Sequence, residues 1–188
     1  VLPVTEEKIS RDIYSPINNP QELPTISVII PTYKKNDYFE PCINSVLNQN
    51  YPSDKLKIRV VVNGSDLEYY KYLSKHYRKN KLVEVIYTEQ KGLVVARAVG
   101  IENSKEDCIG FLDDDDMLAT NHLISLAKFF VADVSIACSG LADYSPDTNS
   151  YNYSNYINKA ISSVGEGVYD NYLRVSSLLS SQCAKLYK

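Results

Sequence analysis

Ile109-Gly110-Phe111-Leu112-Asp113-Asp114-Asp115-Asp116-Met117-Leu118 sets four consecutive carboxylates directly behind a short apolar run. The apolar half reads as the end of a buried strand over Cys108–Leu112. Two unit charges ~4 Å apart repel by about 1 kcal/mol in water and about 4 kcal/mol at a protein surface. The run must therefore splay into solvent or share a cation. A solvated acidic turn is the ordinary explanation of a charge run, so the surrounding chain has to decide.

Outward from that strand the same pattern recurs. Ile26-Ser27-Val28-Ile29-Ile30 is a β-branched run stopped by Pro31, and Lys57-Ile58-Arg59-Val60-Val61-Val62 is another, stopped at Asn63-Gly64-Ser65-Asp66. A third strand is expected near Val83–Tyr87 and a fifth over Val134–Cys138. Helical spacing places Cys42, Ile43, Val46 and Leu47 on one helix, started by Asn36 or Asp37 and ended by Tyr51-Pro52. Further helices are expected over Leu67–Tyr77, over Gly92–Ile101 with a face of Leu93, Val94, Ala96, Val99 and Gly100, and over His122–Phe130. Strands alternating with helices predict βαβ units and a mostly parallel sheet, an α/β fold. In such sheets ligands bind beyond the carboxyl ends of the strands. Pro31-Thr32-Tyr33, Asn63–Asp66 and Asp113–Asp116 all fall at that edge, so segments distant in sequence converge on one rim.

The bulk numbers fit one domain with a sizeable core: 188 residues, 44% hydrophobic and 23% charged. The net charge of -3 leaves no basic footprint for nucleic acid. No apolar stretch approaches the ~18 residues of a membrane span, and no signal peptide is visible. Cys42, Cys108, Cys138 and Cys183 are far apart with no C-x-x-C pair, which argues against zinc. The first three sit among apolar neighbours as buried free thiols, consistent with a reducing compartment. Residues 1–24 carry four prolines and read as a leader arm. The chain begins at Val1 and its single methionine is Met117, which reads as a processed or excised piece.

Hard carboxylate oxygens in small number suit Mg²⁺ or Mn²⁺ completed by water and phosphate. In an extended run Asp113 and Asp115 would face one side, with Asp114 and Asp116 elsewhere. Other phosphate chemistries lack their signatures. A nucleotidyltransferase would carry a Gly-rich loop after its first strand, where this chain has Pro31-Thr32-Tyr33. An aspartyl phosphatase would place its acidic pair after the first strand rather than the fourth. No G-x-x-x-x-G-K-[ST] loop is present.

Five segments occur in order: ISVIIPTY (26–33), SVLNQ (45–49), VVVNGSD (60–66), GLVVARAVG (92–100) and IGFLDDDDML (109–118). Together they resemble the family-2 nucleotide-sugar glycosyltransferases, over roughly residues 25–140. The resemblance implies a GT-A, Rossmann-like fold, a mostly parallel sheet flanked by helices. Residues 25–140 would form the complete nucleotide-sugar-binding core and 141–188 the start of a truncated acceptor side. It further implies inverting transfer from a nucleotide-diphospho-sugar, UDP-linked, to a carbohydrate or lipid-linked acceptor. The expected setting is surface polysaccharide or glycoconjugate synthesis in the cytoplasm, at the inner membrane face, with peripheral membrane association.

Residue by residue, the resemblance puts Pro31, Thr32 and Tyr33 in the base pocket, with Tyr33 against the nucleobase. Asn63 stands where the family commonly has an Asp that hydrogen-bonds the base; its amide still offers a donor and an acceptor. Arg97 matches the Arg of the family's A-R-N segment, near the nucleotide or diphosphate, while Ala98 replaces the following Asn. Lys91 lies close enough to join them. In the L-D-x-D-D element Asp113 and Asp114 would touch the sugar-nucleotide and ribose. Asp115 would hold Mn²⁺ or Mg²⁺, with Asp113 as a second ligand, and Asp116 would cap the next helix. The family's base is an Asp in a Glu-Asp pair beyond the segment resembling Ala184–Lys188, so none is named here. Asp143, Asp147, Glu166 and Asp170 lack that context. Tyrosines from Tyr144 onward read as loop, with an aromatic acceptor platform as the alternative. A fragment that binds donor without turnover is the rival reading.

Overall fold

The computed structural model describes residues 22–130, 136–138, 142–145, 147–152 and 185–187. The elements are β1 (Ile26–Thr32), α1 (Phe39–Leu47), β2 (Leu56–Asn63), α2 (Leu67–Tyr77), β3 (Val83–Thr88) and α3 (Leu93–Glu102). They continue with β4 (Cys108–Phe111), α4 (His122–Ala127), β5 (Ile136–Cys138), β6 (Asp143–Ser145), β7 (Ser150–Asn152) and β8 (Lys185–Tyr187). Among the described residues the main sheet has the order β3-β2-β1-β4-β8-β5. The first four of these strands run parallel, and β8 lies antiparallel between β4 and β5. Stepping outward from β1 in both directions is what creates the rim, because the crossover from β3 to β4 passes over β2 and β1.

β1 is buried along its whole length and β2 nearly so, as expected of central parallel strands covered on both faces. Val28, Ile30, Ile58, Val60 and Val62 point into the larger core, with Phe39, Cys42, Ile43 and Val46 of α1, Tyr69 and Leu73 of α2, and Leu123 and Leu126 of α4. Ile29 and Val61 point to the opposite face, where Ala96 of α3 meets them. Gly100 allows that approach: a Cβ there would come within 2.5 Å of Ile29 Cγ2.

Several expectations are corrected. Pro31 does not stop β1, which runs on to Thr32 opposite Val62. The missing N–H is harmless because β4 stops pairing with β1 at Phe111, opposite Ile29 and two steps before it could face Pro31. On α3 only Ala96 and Gly100 are fully buried, whereas Leu93 and Val94 are exposed at 48% and 80%. Small residues at i and i+4 seat this helix, so its first turn projects past the sheet. α4 is shorter than expected because its last turn tightens to i→i−3 bonds at Phe129 and Phe130. Ser150–Asn152 and Asp143–Ser145 form a hairpin, not loop, with Asn149 at positive φ in its turn. β8 was not anticipated. Val134 and Ser135, the start of the expected fifth strand, lie outside the described residues, as do residues 1–21, Cys183, Glu166 and Asp170. Cys42 and Cys108 are buried free thiols.

His122 opens α4 in a mostly buried position, and burial pushes its imidazole down to about 4. Its folded pKa lies below the ordinary ~6.5, so the unfolded chain binds the extra proton. Stability from this group is therefore full above pH 6.5 and declines as pH falls toward 4, by about 1–3 kcal/mol. Thermal unfolding across that window should show the loss in the natural chain and a flatter profile in His122→Gln.

Candidate active site

The carboxyl ends of β1, β2 and β4 place the expected residues on one rim. Asp113–Asp116 do not continue the strand. The Asp116 N–H donates to the Asp113 carbonyl at 3.0 Å, closing a tight turn. The odd–even alternation of an extended run therefore does not apply, and each carboxylate has its own surroundings. Asp113 Oδ1 receives Arg97 Nη2 at 2.7 Å, and the Arg97 guanidinium lies 5.3 Å from the Phe111 ring centroid. Asp114 turns inward, where its Oδ2 accepts from Thr32 Oγ1 at 2.6 Å and Asn36 Nδ2 at 2.8 Å. Asp115 and Asp116 are exposed, and Asp115 makes no hydrogen bond or ion pair among the described residues. Asp116 does not cap α4: that helix starts six residues later, with Asn121 at the cap position and no side-chain cap bond.

Burial pushes the Asp114 carboxyl above its usual range, and Asp115 and Asp113 add to the effect. The Thr32 and Asn36 hydrogen bonds oppose it without cancelling it. Beneath the turn, Cys42 Sγ donates to the Asp113 carbonyl at 3.4 Å. Burial first, then the four aspartates, push that thiol far up, so it stays a neutral packing group.

On the β1–β2 side, Tyr33 is 47% exposed at the rim and Thr32 is buried. Gly64 backs the Tyr33 ring so closely that a Cβ would fall 2.6 Å from Cε2, and Lys91 Nζ lies 5.9 Å from the ring centroid. Asn63, the last residue of β2, is 5% exposed overall, and its amide is not among the buried side-chain atoms left without a partner. Asp66 accepts from Tyr69 N at 2.8 Å and caps α2, fixing the loop that carries Asn63 and Gly64.

The glycosyl transferase family 2 model matches residues 27–186. The chain belongs to this family. It is 40% identical over 96 residues to the glycosyltransferase AglE of Haloferax volcanii, a match covering 50% of this chain and 31% of AglE. It is 27% identical over 138 residues to a hyaluronan synthase of Pasteurella multocida, covering 73% of this chain and 13% of the synthase. Among solved structures, the mannosyltransferase PcManGT from Pyrobaculum calidifontis, in complex with GDP-Man and Mn²⁺, superposes at TM-score 0.58 with 22% identity. That match covers 68% of this chain and 38% of PcManGT, and it carries the GT-A fold. The chain thus spans under a third of the length of both relatives.

Three contributors to this family-2 site escaped sequence reading. In the sequence Asn36 signals only a helix start; its Oδ1 does accept from Tyr38 N and Phe39 N, both at 2.9 Å, while its Nδ2 holds Asp114. Ser45 and Gln49 lie in the recognised SVLNQ segment and tie down the chain that leaves the acidic turn. Ser45 Oγ accepts from Leu118 N at 3.0 Å, and Gln49 donates to Ala119 O at 2.7 Å and accepts from Leu123 N at 3.0 Å. Polar residues on the buried side of a short helix are the signal that would have found them.

Proposed function

We propose that this chain is the donor-binding core of an inverting, metal-dependent glycosyltransferase using a UDP-linked sugar. Its acceptor is a carbohydrate or lipid-linked hydroxyl in surface polysaccharide or glycoconjugate assembly, on the cytoplasmic side of the membrane. The kinship with a hyaluronan synthase supports the polysaccharide setting. No helix among the described residues is long and apolar enough to cross a membrane. The observation that carries the reading is the single rim holding exposed Tyr33, Asn63 at the end of β2, the Arg97–Asp113 pair and exposed Asp115.

Tyr33 offers an aromatic face for the nucleobase, with Pro31 and Thr32 shaping the strand end behind it. The Asn63 amide can accept from an imide N–H and donate to the adjacent carbonyl, the pattern of uracil. Arg97 supplies fixed positive charge beside the diphosphate position, and Asp113 holds it there. The hard carboxylate oxygens of exposed Asp115, with Asp113 beside it, would hold Mg²⁺ or Mn²⁺ completed by phosphate oxygens of the donor. A divalent ion at these carboxylates would supply charge neutralisation for a departing nucleoside diphosphate. Asp143 and Asp147 lie exposed in the separate hairpin and are not assigned as the base.

Calorimetric titration of UDP and GDP, each with and without Mn²⁺, tests this. UDP should bind more tightly with Mn²⁺, and Asp115→Ala should weaken that binding roughly 100-fold, as loss of a metal ligand would. Binding that ignores Mn²⁺, or survives Asp115→Ala unchanged, would sink the donor-site reading. A nucleotide-sugar turnover assay separates an active transferase from a domain that only holds donor.

A further inference from the structure

We infer that Asn36 is a positioning residue that acts through Asp114 to set the acidic turn for donor binding, and that Asp114 itself is an internal anchor, not a donor contact. The inference rests on the donor-site reading above. Two donors from different elements, Thr32 of β1 and Asn36 ahead of α1, converge on one oxygen of Asp114. The Thr32 hydroxyl spends its single hydrogen on Asp114, so the Tyr69 hydroxyl, 3.5 Å away, is the donor to Thr32 and backs it from α2. Asp114 is thereby fastened to β1 and to the segment ahead of α1, with α2 backing Thr32, on one flank of the turn. Asp113 is fastened by Arg97 of α3 on the other flank. Between these two fastenings the tight turn leaves Asp115 facing outward. Hydrogen bonds to a carboxylate are the strong ones, and two on one oxygen fix its direction as well as its place.

Asn36 also caps the first turn of α1 through its other amide atom, Oδ1. One planar group thus couples the start of a helix to the acidic turn. The two jobs separate by substitution. Asn36→Asp keeps an acceptor for the Tyr38 and Phe39 N–H groups but removes the donor and sets a carboxylate against Asp114. Asp114→Asn keeps an acceptor oxygen for Thr32 and Asn36 but removes the charge.

UDP affinity in the presence of Mn²⁺, measured on the whole chain, gives the main readout. Asn36→Asp should bind roughly 10-fold more weakly than the natural chain, since a charge-assisted hydrogen bond is replaced by repulsion. Asp114→Asn should stay within about 3-fold, because only the charge assistance is lost. Natural affinity in Asn36→Asp would reduce Asn36 to a helix cap and overturn the inference. So would an Asp114→Asn loss as deep as that of Asp115→Ala, which would make Asp114 a donor contact. Hydrogen exchange over residues 112–118 supplies a ligand-free readout. If the natural chain binds no nucleoside diphosphate, the donor-site reading fails by itself. Faster exchange in Asn36→Asp then still supports the positioning role, and unchanged exchange overturns it.

Discussion

Arg59→Ala is expected to destabilise the fold by about 3–5 kcal/mol, the range for stranding the partner of a buried ion pair. Arg59 lies mid-strand in β2 with 5% of its side chain exposed. Its Nη1 donates to Glu106 Oε2 at 2.6 Å and to Ser27 Oγ at 2.7 Å, while Nη2 reaches Glu106 Oε1 at 3.2 Å. Nε lies 3.5 Å from Glu84 but makes no aligned hydrogen bond. Burial works to raise the Glu106 carboxyl, yet the Arg59 hydrogen bond and backbone N–H groups outweigh it and hold it below the usual range. The stability linked to Glu106 is therefore present above the ordinary carboxylate range and is lost as pH falls through the lowered value. Urea unfolding at neutral pH should show the full loss in Arg59→Ala. Arg59→Met with Glu106→Leu should recover most of it, because neither charge is then stranded. A single-variant loss under about 1 kcal/mol would show that the pair is not stabilising.

That prediction also marks where sequence reading stops. The runs around Val28 and Val60 and their Pro, Asn and Gly stops are local signals, so β1 to β4, α1 and α2 were legible within a residue or two. Arg59 lies inside an apolar strand run, and a charge at a strand position ordinarily faces water, so its burial is not announced locally. Only the pairing of β2 between β1 and β3 shows that its face is covered by α3. β8 carries three residues of weak pattern, and its partner Ile109 is distant in sequence, so nothing local announces it. At the site, the rim and its residue types were legible, because strand ends gather wherever the sheet is parallel. The direction of each carboxylate was not. The i→i+3 bond between Asp113 and Asp116 replaced the expected alternation, and Asp114 faces Asn36, 78 residues earlier.

Gly64→Ala should lower stability by about 1–3 kcal/mol and weaken UDP binding roughly 10-fold or more. Gly64 has φ +105, a region that L side chains rarely adopt, so any replacement is strained before it touches a neighbour. The new methyl would then meet Tyr33 Cε2 at 2.6 Å. The Tyr33 ring is half exposed and can swing outward, which relieves the contact but withdraws the face proposed for the base. Base–aromatic stacking contributes about 1–3 kcal/mol, which sets the size of the affinity loss. The two consequences separate cleanly. Tyr33→Ala should reproduce the binding loss with little change in unfolding, since a half-exposed ring contributes little to the core. In Tyr33→Ala/Gly64→Ala the strain should persist while the second binding loss disappears, the coupling expected of two residues acting through one contact. Additive binding losses, or a Gly64→Ala chain that binds UDP normally, would detach Gly64 from the nucleotide and leave it a turn glycine alone.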